Sequence, residues 1–311
     1  MSAHNHDHPG HDHHEHGHGR HGHVHASPGD PRYGLAIVLN LAIVLVEAGG
    51  GVIGHSTALV ADAGHNLSDV LGLVLAGGAA WLARRPAAGR RTYGFGKATI
   101  MAALANGLVL MLVSGGLLFE AVQRLVHPEP IQAPLVMGVA AVGVVVNTLT
   151  ALMFVRGQAS DANVRGVFLH MAADAAVSVG VIIAAGLILL TGWSWVDPAV
   201  SIAIVAVIAA GTWGLLREAV DMALDAAPRG ADPERIEAFL RASPGVVEVH
   251  DLHVWAMSTT ETALTAHVVR PQPDGIEQFR CALAQSLESR FGVRHATLQI
   301  EQSRGEHCPG C

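Results

Sequence analysis

Long apolar runs separated by short polar breaks fill the middle of the chain, at residues 33–53, 58–83, 98–126, 131–155, 164–190 and 193–216. Each is about 20 residues or longer, enough for a helix to cross roughly 30 Å of hydrocarbon. The pattern predicts six transmembrane helices. After Leu216 charged and polar residues return, and Pro228, Gly230 and Pro233 mark a linker. Beyond it the periodicity predicts a helix over 233–242, strands over 246–255 and 262–269, a helix over 275–291 and a strand over 293–301. Asp232 caps the first of these helices and Pro233 sits in its first turn. The αββαβ order predicts a small α+β layer of antiparallel strands with helices on one face, small enough that packing against a second copy is expected. The chain thus divides into a polar segment 1–30, an all-α six-helix membrane domain 31–216, an α+β domain 217–305 and a tail 306–311.

Composition narrows the function. Of 311 residues 50% are hydrophobic and 14% charged, with a mean hydropathy of +0.38, too apolar for an ordinary soluble protein. A net charge of −7 without a long basic run leaves no footprint for nucleic acid, and Cys281, Cys308 and Cys311 cannot build a disulfide framework. Residues 1–30 lack the apolar core of a signal peptide. They hold 11 of the 20 histidines, with Asp7, Asp12 and Glu15 among them, the composition of a disordered, multidentate metal buffer. Basic residues set the orientation: Arg84, Arg85, Arg90, Arg91 and Lys97 lie between the second and third spans and Arg156 and Arg165 between the fourth and fifth, whereas the first and fifth connections carry neither Arg nor Lys. Both termini are therefore expected in the cytoplasm. The Ala-, Gly- and Arg-rich composition points to a bacterial chain and so to the inner membrane.

Ionisable side chains at bilayer depth each need a reason, because an unpaired charge there is costly. The spans hold Asn40 and Glu47, then Asp62, His65 and Asp69, then Asn106 and Glu120, and finally His170 and Asp174. Two groups repeat one spacing. His65 to Asp69 and His170 to Asp174 are both HxxxD, and residues four apart in a helix lie about 40° from each other on one face. Two such halves face to face supply two imidazole nitrogens and two carboxylate oxygens, a tetrahedral set that suits Zn²⁺ better than Mg²⁺ or Ca²⁺. Asp62, three residues before His65, either supports a ligand from outside the coordination sphere or caps a polar helix face.

The run from Ser56 to Asp69 (STALVADAGHNLSD), the turn Tyr93-Gly94-Phe95-Gly96, Leu169-His170 to Asp174, Asp197-Pro198 and His253-Val254-Trp255 follow one another in the order of the cation diffusion facilitator family. The chain resembles its zinc-exporting branch over essentially all of its length after the tail. The resemblance implies a homodimer of six-helix protomers in the lipid bilayer, each with a cytoplasmic metallochaperone-like, ferredoxin-like domain. It implies exchange of Zn²⁺, with Co²⁺ and Cd²⁺ beside it, for protons in metal homeostasis and resistance. It carries the ligand role to His65, Asp69, His170 and Asp174, and implies neither an enzyme nor an organic cofactor. His250, His267 and Glu301 resemble the positions at which relatives bind a regulatory metal across the dimer, which would make Zn²⁺ a regulatory ligand as well as the substrate. Gln299 departs from that pattern, standing where some relatives have another histidine.

Other metal-capable groups are placed by spacing. His250 and His253, three apart in a strand, are expected on opposite faces. Cys308 and Cys311 form a CxxC, a two-thiolate chelate in a reducing cytosol. The connection between the second and third spans has no His, Cys, Asp or Glu, and so no loop site. His55 and His127 read as solvated interfacial residues, and Cys281 as a packed small hydrophobe within its helix. A membrane metalloenzyme is disfavoured, since no HExxH motif is present and four protein ligands leave no open position. A metal sensor or store has no need of two half-sites inside the bilayer.

Overall fold

All six apolar runs form helices in the structure, a computed structural model that describes residues 31–155, 162–272 and 274–303. They are α1 (Pro31–Gly54), α2 (Thr57–Ala83), α3 (Ala98–Val126), α4 (Ala133–Phe154), α5 (Ala162–Thr191) and α6 (Val196–Ala223). Their ends agree with the apolar pattern to within a turn except in α6, which continues through Arg217, Glu218 and Asp221 to Ala223. Apolarity marks where a helix meets lipid, whereas backbone hydrogen bonding continues as long as the residues tolerate it.

The bundle is apolar outside and carries a polar seam within its interior. Leu45, Leu112, Leu190 and Val207 point outward, while Glu47, Asp62, Asn66 and Asp174 are buried. That inversion fits a lipid surround, where apolar side chains cost nothing outside and polar ones need internal partners. Helices α4 and α5 pack most extensively, as do α3 and α6, with α1 against α2 and α4; α2 and α5 meet only briefly. Ala58, Leu59, Val136, Ala140, Val181 and Ala185 fill the space where α2, α4 and α5 converge.

The start of α2 is fixed from two directions. Ser56 Oγ accepts from Leu59 N at 3.2 Å, the usual N-cap. The carboxylate of Asp197 in α6 accepts from Thr57 N at 2.7 Å, Thr57 Oγ1 at 2.8 Å and the Ser56 hydroxyl, and Ser201 Oγ donates to Thr57 O at 3.2 Å. An acidic group at a helix N-terminus offsets its positive end.

The second unit comprises α7 (Pro233–Arg241), β1 (Glu248–Ala256), β2 (Thr262–Val269), α8 (Ile276–Phe291) and β3 (Val293–Glu301). Asp232 caps α7 by accepting from Glu234 N at 3.0 Å. Ile236 and Leu240 of α7 and Leu283 and Leu287 of α8 pack on Val249, Leu264, Val268 and Leu298 of the sheet. The sheet order is β1-β2-β3, with β1 and β2 antiparallel but β2 and β3 parallel, which corrects the expectation of a wholly antiparallel layer. Helix α8 is the reason: as a crossover it returns the chain to the starting edge, so β3 runs with β2. Cys281 is exposed and not packed; Leu283 and Leu287 take the core face of α8, and the thiol stands 3.6 Å from Glu277 Oε1.

The two units meet at the α2–α3 connection. Thr259 N donates to Thr99 Oγ1 at 3.0 Å, the ring of Tyr93 stands edge-on to His295, and Lys97 Nζ pairs with Asp225 Oδ1 at 2.6 Å. Gly96 is required there, because a Cβ would fall 2.7 Å from the Met257 carbonyl oxygen.

Candidate metal centre

The two HxxxD segments converge. His65 and Asp69 project from α2, and His170 and Asp174 from α5, each pair separated by one helical turn. His65 Nε2 lies 3.7 Å from Asp69 Oδ2 and 3.7 Å from Asp174 Oδ1, while His170 Nε2 lies 3.2 Å from Asp69 Oδ2 and 3.7 Å from Asp174 Oδ2. Ligands about 2.0 Å from a tetrahedral Zn²⁺ stand about 3.3 Å from one another, so these separations are close to those of a coordination shell. His65, His170 and Asp174 each offer an atom within 4.8 Å of the other two. Asp69 closes the ring through His170. Asp174 is buried and its Oδ2 has no hydrogen-bond partner, whereas His65, Asp69 and His170 keep partial access. A buried carboxylate oxygen left without a donor is the behaviour of a group arranged for a cation.

Asp62 turns elsewhere. Its Oδ2 accepts from Ser178 Oγ of α5 at 3.0 Å, and the buried Nδ1 of His65 has no partner. Behind the ligands, Asn66 Nδ2 donates to Glu47 Oε2 at 3.1 Å, which ties the ligand-bearing turn of α2 to α1.

In the sheet, His250, His267 and Glu301 form a second group, with His267 Nδ1 2.7 Å from Glu301 Oε1 and His250 Nε2 3.3 Å from Glu301 Oε2. Gln299 Nε2 donates to Glu301 Oε1 at 2.9 Å and so supports the carboxylate. Slight burial of Glu301 raises its pKa, but the bonds to His267, His250 and Gln299 outweigh that and hold it below the ordinary range.

A β-bulge between His250 and His253, with Asp251 at a positive φ of 50°, inserts one residue into β1. The bulge overturns the expected opposition of these histidines: His250 pairs with His267 and His253 with Thr265, residues on one face of β2. Asp251 Oδ1 is 2.8 Å from His253 Nε2, and its Oδ2 is 3.8 Å from His267 Nε2. No spacing rule reveals a bulge; Asp251, a residue type rare in strand interiors, was the available signal. His55 is solvated, 4.0 Å from Glu129. Cys308, Cys311 and the His-rich segment lie outside the described residues.

Residues 34–222 match the family model of the cation efflux transmembrane domain, and residues 228–303 that of the cation efflux protein cytoplasmic domain. The chain belongs to the cation efflux family, the cation diffusion facilitators. It is a metal cation efflux transporter and not an enzyme. The cation efflux system protein CzcD of Alcaligenes sp. (strain CT14) is 37% identical over 302 residues, covering 96% of this chain and 90% of that protein. The zinc transporter ZitB of Escherichia coli (strain K12) is 33% identical over 278 residues, 89% of this chain and 88% of its own length. The cadmium, cobalt and zinc/H(+)-K(+) antiporter of Bacillus subtilis (strain 168) is 31% identical over 278 residues, 88% of this chain and 89% of its own.

Proposed function

We propose that this efflux protein carries Zn²⁺, with Co²⁺ and Cd²⁺ beside it, out of the cytosol in exchange for protons, through a site made by His65, Asp69, His170 and Asp174. It works as a homodimer in the bacterial inner membrane with both termini cytoplasmic, the basic α2–α3 connection on the cytoplasmic side. The observation that carries this reading is the convergence of two HxxxD segments from α2 and α5 on a common point at bilayer depth, at separations of 3.2 to 3.7 Å. The relatives named for zinc, cobalt and cadmium, one of them an H(+)-K(+) antiporter, support the choice of ions and of exchange. The name of the family model for the cytoplasmic domain, ZT_dimer, supports the dimer.

The chemistry follows from the donors. Zn²⁺ takes the lone pairs of neutral imidazole and ionised carboxylate, and two carboxylates offset its double charge in a medium that screens poorly. Protons compete for those same lone pairs, so loading one cargo expels the other. Because α2 and α5 carry half of the ligands each and touch little, their relative motion opens the site by separating its halves. The cluster of His250, His267 and Glu301 binds a regulatory metal in this account, and the His-rich segment and the CxxC concentrate metal near the entrance.

Zinc uptake into everted vesicles under an imposed pH gradient tests the exchange. Accumulation against a zinc gradient should cease when an ionophore collapses the pH gradient. Accumulation that persists unchanged would rule out proton coupling.

A further inference from the structure

Beside the His/Asp cluster, and extending from Asn66 about one turn toward the end of the bundle where α1 passes into α2, lies a second polar layer whose carboxylates the transport reading leaves without a task. Glu47 of α1 is 1% exposed, and Asp62 and Asn66 of α2 and Ser178 of α5 are wholly buried. Ser178 Oγ donates to Asp62 Oδ2 at 3.0 Å and Asn66 Nδ2 to Glu47 Oε2 at 3.1 Å. Helix α4 closes the layer with Gly143, where a Cβ would fall 2.6 Å from Glu47 Oε1 and 3.1 Å from Ser178 Oγ. The missing side chain leaves room where the two hydrogen-bonded pairs approach each other.

Three buried atoms of this layer have no hydrogen-bond partner: Glu47 Oε1, Asp62 Oδ1 and Asn66 Oδ1. All three are acceptors. Among the described residues no Lys or Arg pairs with either carboxylate, so each keeps one oxygen without a donor and the layer holds an excess of oxygen lone pairs. Buried acceptors in that state call for a cation, and two carboxylates with amide and hydroxyl oxygens match a divalent ion bound through oxygen alone.

We propose that Glu47, Asp62, Asn66 and Ser178 form a second, oxygen-only position for the transported divalent cation, which receives the ion from His65, Asp69, His170 and Asp174 and passes it toward the α1–α2 end of the bundle. The inference rests on the transport route proposed above. Asp62 stands three residues from His65 and Ser178 four from Asp174, so the two positions are about one helical pitch apart along the same faces. Oxygen donors hold Zn²⁺ less firmly than imidazole does and discriminate less among divalent ions. A station of that kind suits a step that must release its ion, since conduction requires binding strong enough to enter and weak enough to leave.

Cadmium-113 NMR of the full-length purified protein, loaded with Cd²⁺ alone, tests the proposal. The wild type should show a resonance in the oxygen-only range, upfield of the mixed nitrogen and oxygen signal of the His/Asp site. Glu47→Gln and Asp62→Asn should each remove the oxygen-only resonance and leave the mixed one. In proteoliposomes the same variants should lower zinc turnover about tenfold or more with KM changed less than about threefold. Gly143→Ala removes no ligand but fills the space beside Glu47 Oε1, and it should also abolish the oxygen-only signal, which keeps the test open should an acidic variant fail to fold. A wild type without that resonance at saturating Cd²⁺, or a resonance that survives these substitutions, overturns the proposal. So does a lost pH dependence of flux in Glu47→Gln without any oxygen-only signal, which would assign protons to the layer. Failure of the underlying route is distinguishable, because His170→Ala would then remove none of the mixed resonances, whereas a correct route loses one of them and keeps those of His250, His267 and Glu301 and of the His-rich segment.

Discussion

His170 Nε2 of α5 lies 3.2 Å from Asp69 Oδ2 of α2, the shorter of the two contacts that join these helices across the His/Asp cluster. Outside this cluster α2 and α5 are joined through the Asp62–Ser178 bond and share the core that α4 also fills, and each keeps its own histidine and aspartate one turn apart. Any ion seated among the four residues therefore bridges two bodies, and separating those bodies divides its ligands.

Selectivity should follow the imidazoles. His65→Asp replaces a donor of fixed direction with a carboxylate that binds through one or two oxygens and accommodates a larger ion. The zinc-to-cadmium flux ratio should fall in the variant. An unchanged ratio would remove His65 from the ligand set.

Asp197 should matter for stability without touching the metal. Asp197→Ala leaves Thr57 N, Thr57 Oγ1 and the Ser56 hydroxyl without their acceptor in a buried setting, with an expected loss of about 2–4 kcal/mol. Thermal unfolding of the solubilised protein should show a clear drop, smaller for Asp197→Asn. Equal midpoints would mean that water replaces the cap.

Much of this architecture is legible in the chain itself. The six helices follow from apolar runs long enough to cross a membrane, and the meeting of two histidines and two aspartates follows from two identical spacings at bilayer depth. What stayed hidden depended on contacts between distant segments. Asp197 lies just before Pro198 in the first turn of α6, yet it serves the start of α2, 140 residues away. The parallel pairing of β2 and β3 depends on the path of α8, and the common face of His250 and His253 on one inserted residue at Asp251. Periodicity reports which face of an element is apolar and is silent about which partner meets it.

The junction of the two units should be sensitive to a single methyl group. Gly96→Ala places a Cβ 2.7 Å from the Met257 carbonyl oxygen, which cannot move without shifting the β1–β2 turn. Hydrogen exchange at residues 257–260 should accelerate in the variant, including at Thr259 N, whose bond to Thr99 would be lost. Unaltered protection would show that the turn absorbs the change.

Acid should loosen the cytoplasmic cluster through Glu301. Its pKa is lower folded than unfolded, so its contribution to stability is complete above the ordinary carboxylate value of about 4.3 and is lost as pH falls through the folded value. In chelator, Glu301→Gln should flatten the loss of thermal stability below about pH 5. A variant with the same acid limb as the wild type would mean that the carboxylate gains nothing from His267 and His250.

The assignment of the transport site is tested most directly by zinc flux into proteoliposomes containing purified, dimeric Asp174→Ala, beside the wild type at matched reconstitution. Asp174 is the most buried of the four residues and supplies one of two charges that offset the ion. Removing it should abolish zinc transport while the dimer and its unfolding profile persist. Flux equal to the wild type in a folded, dimeric variant would contradict the site.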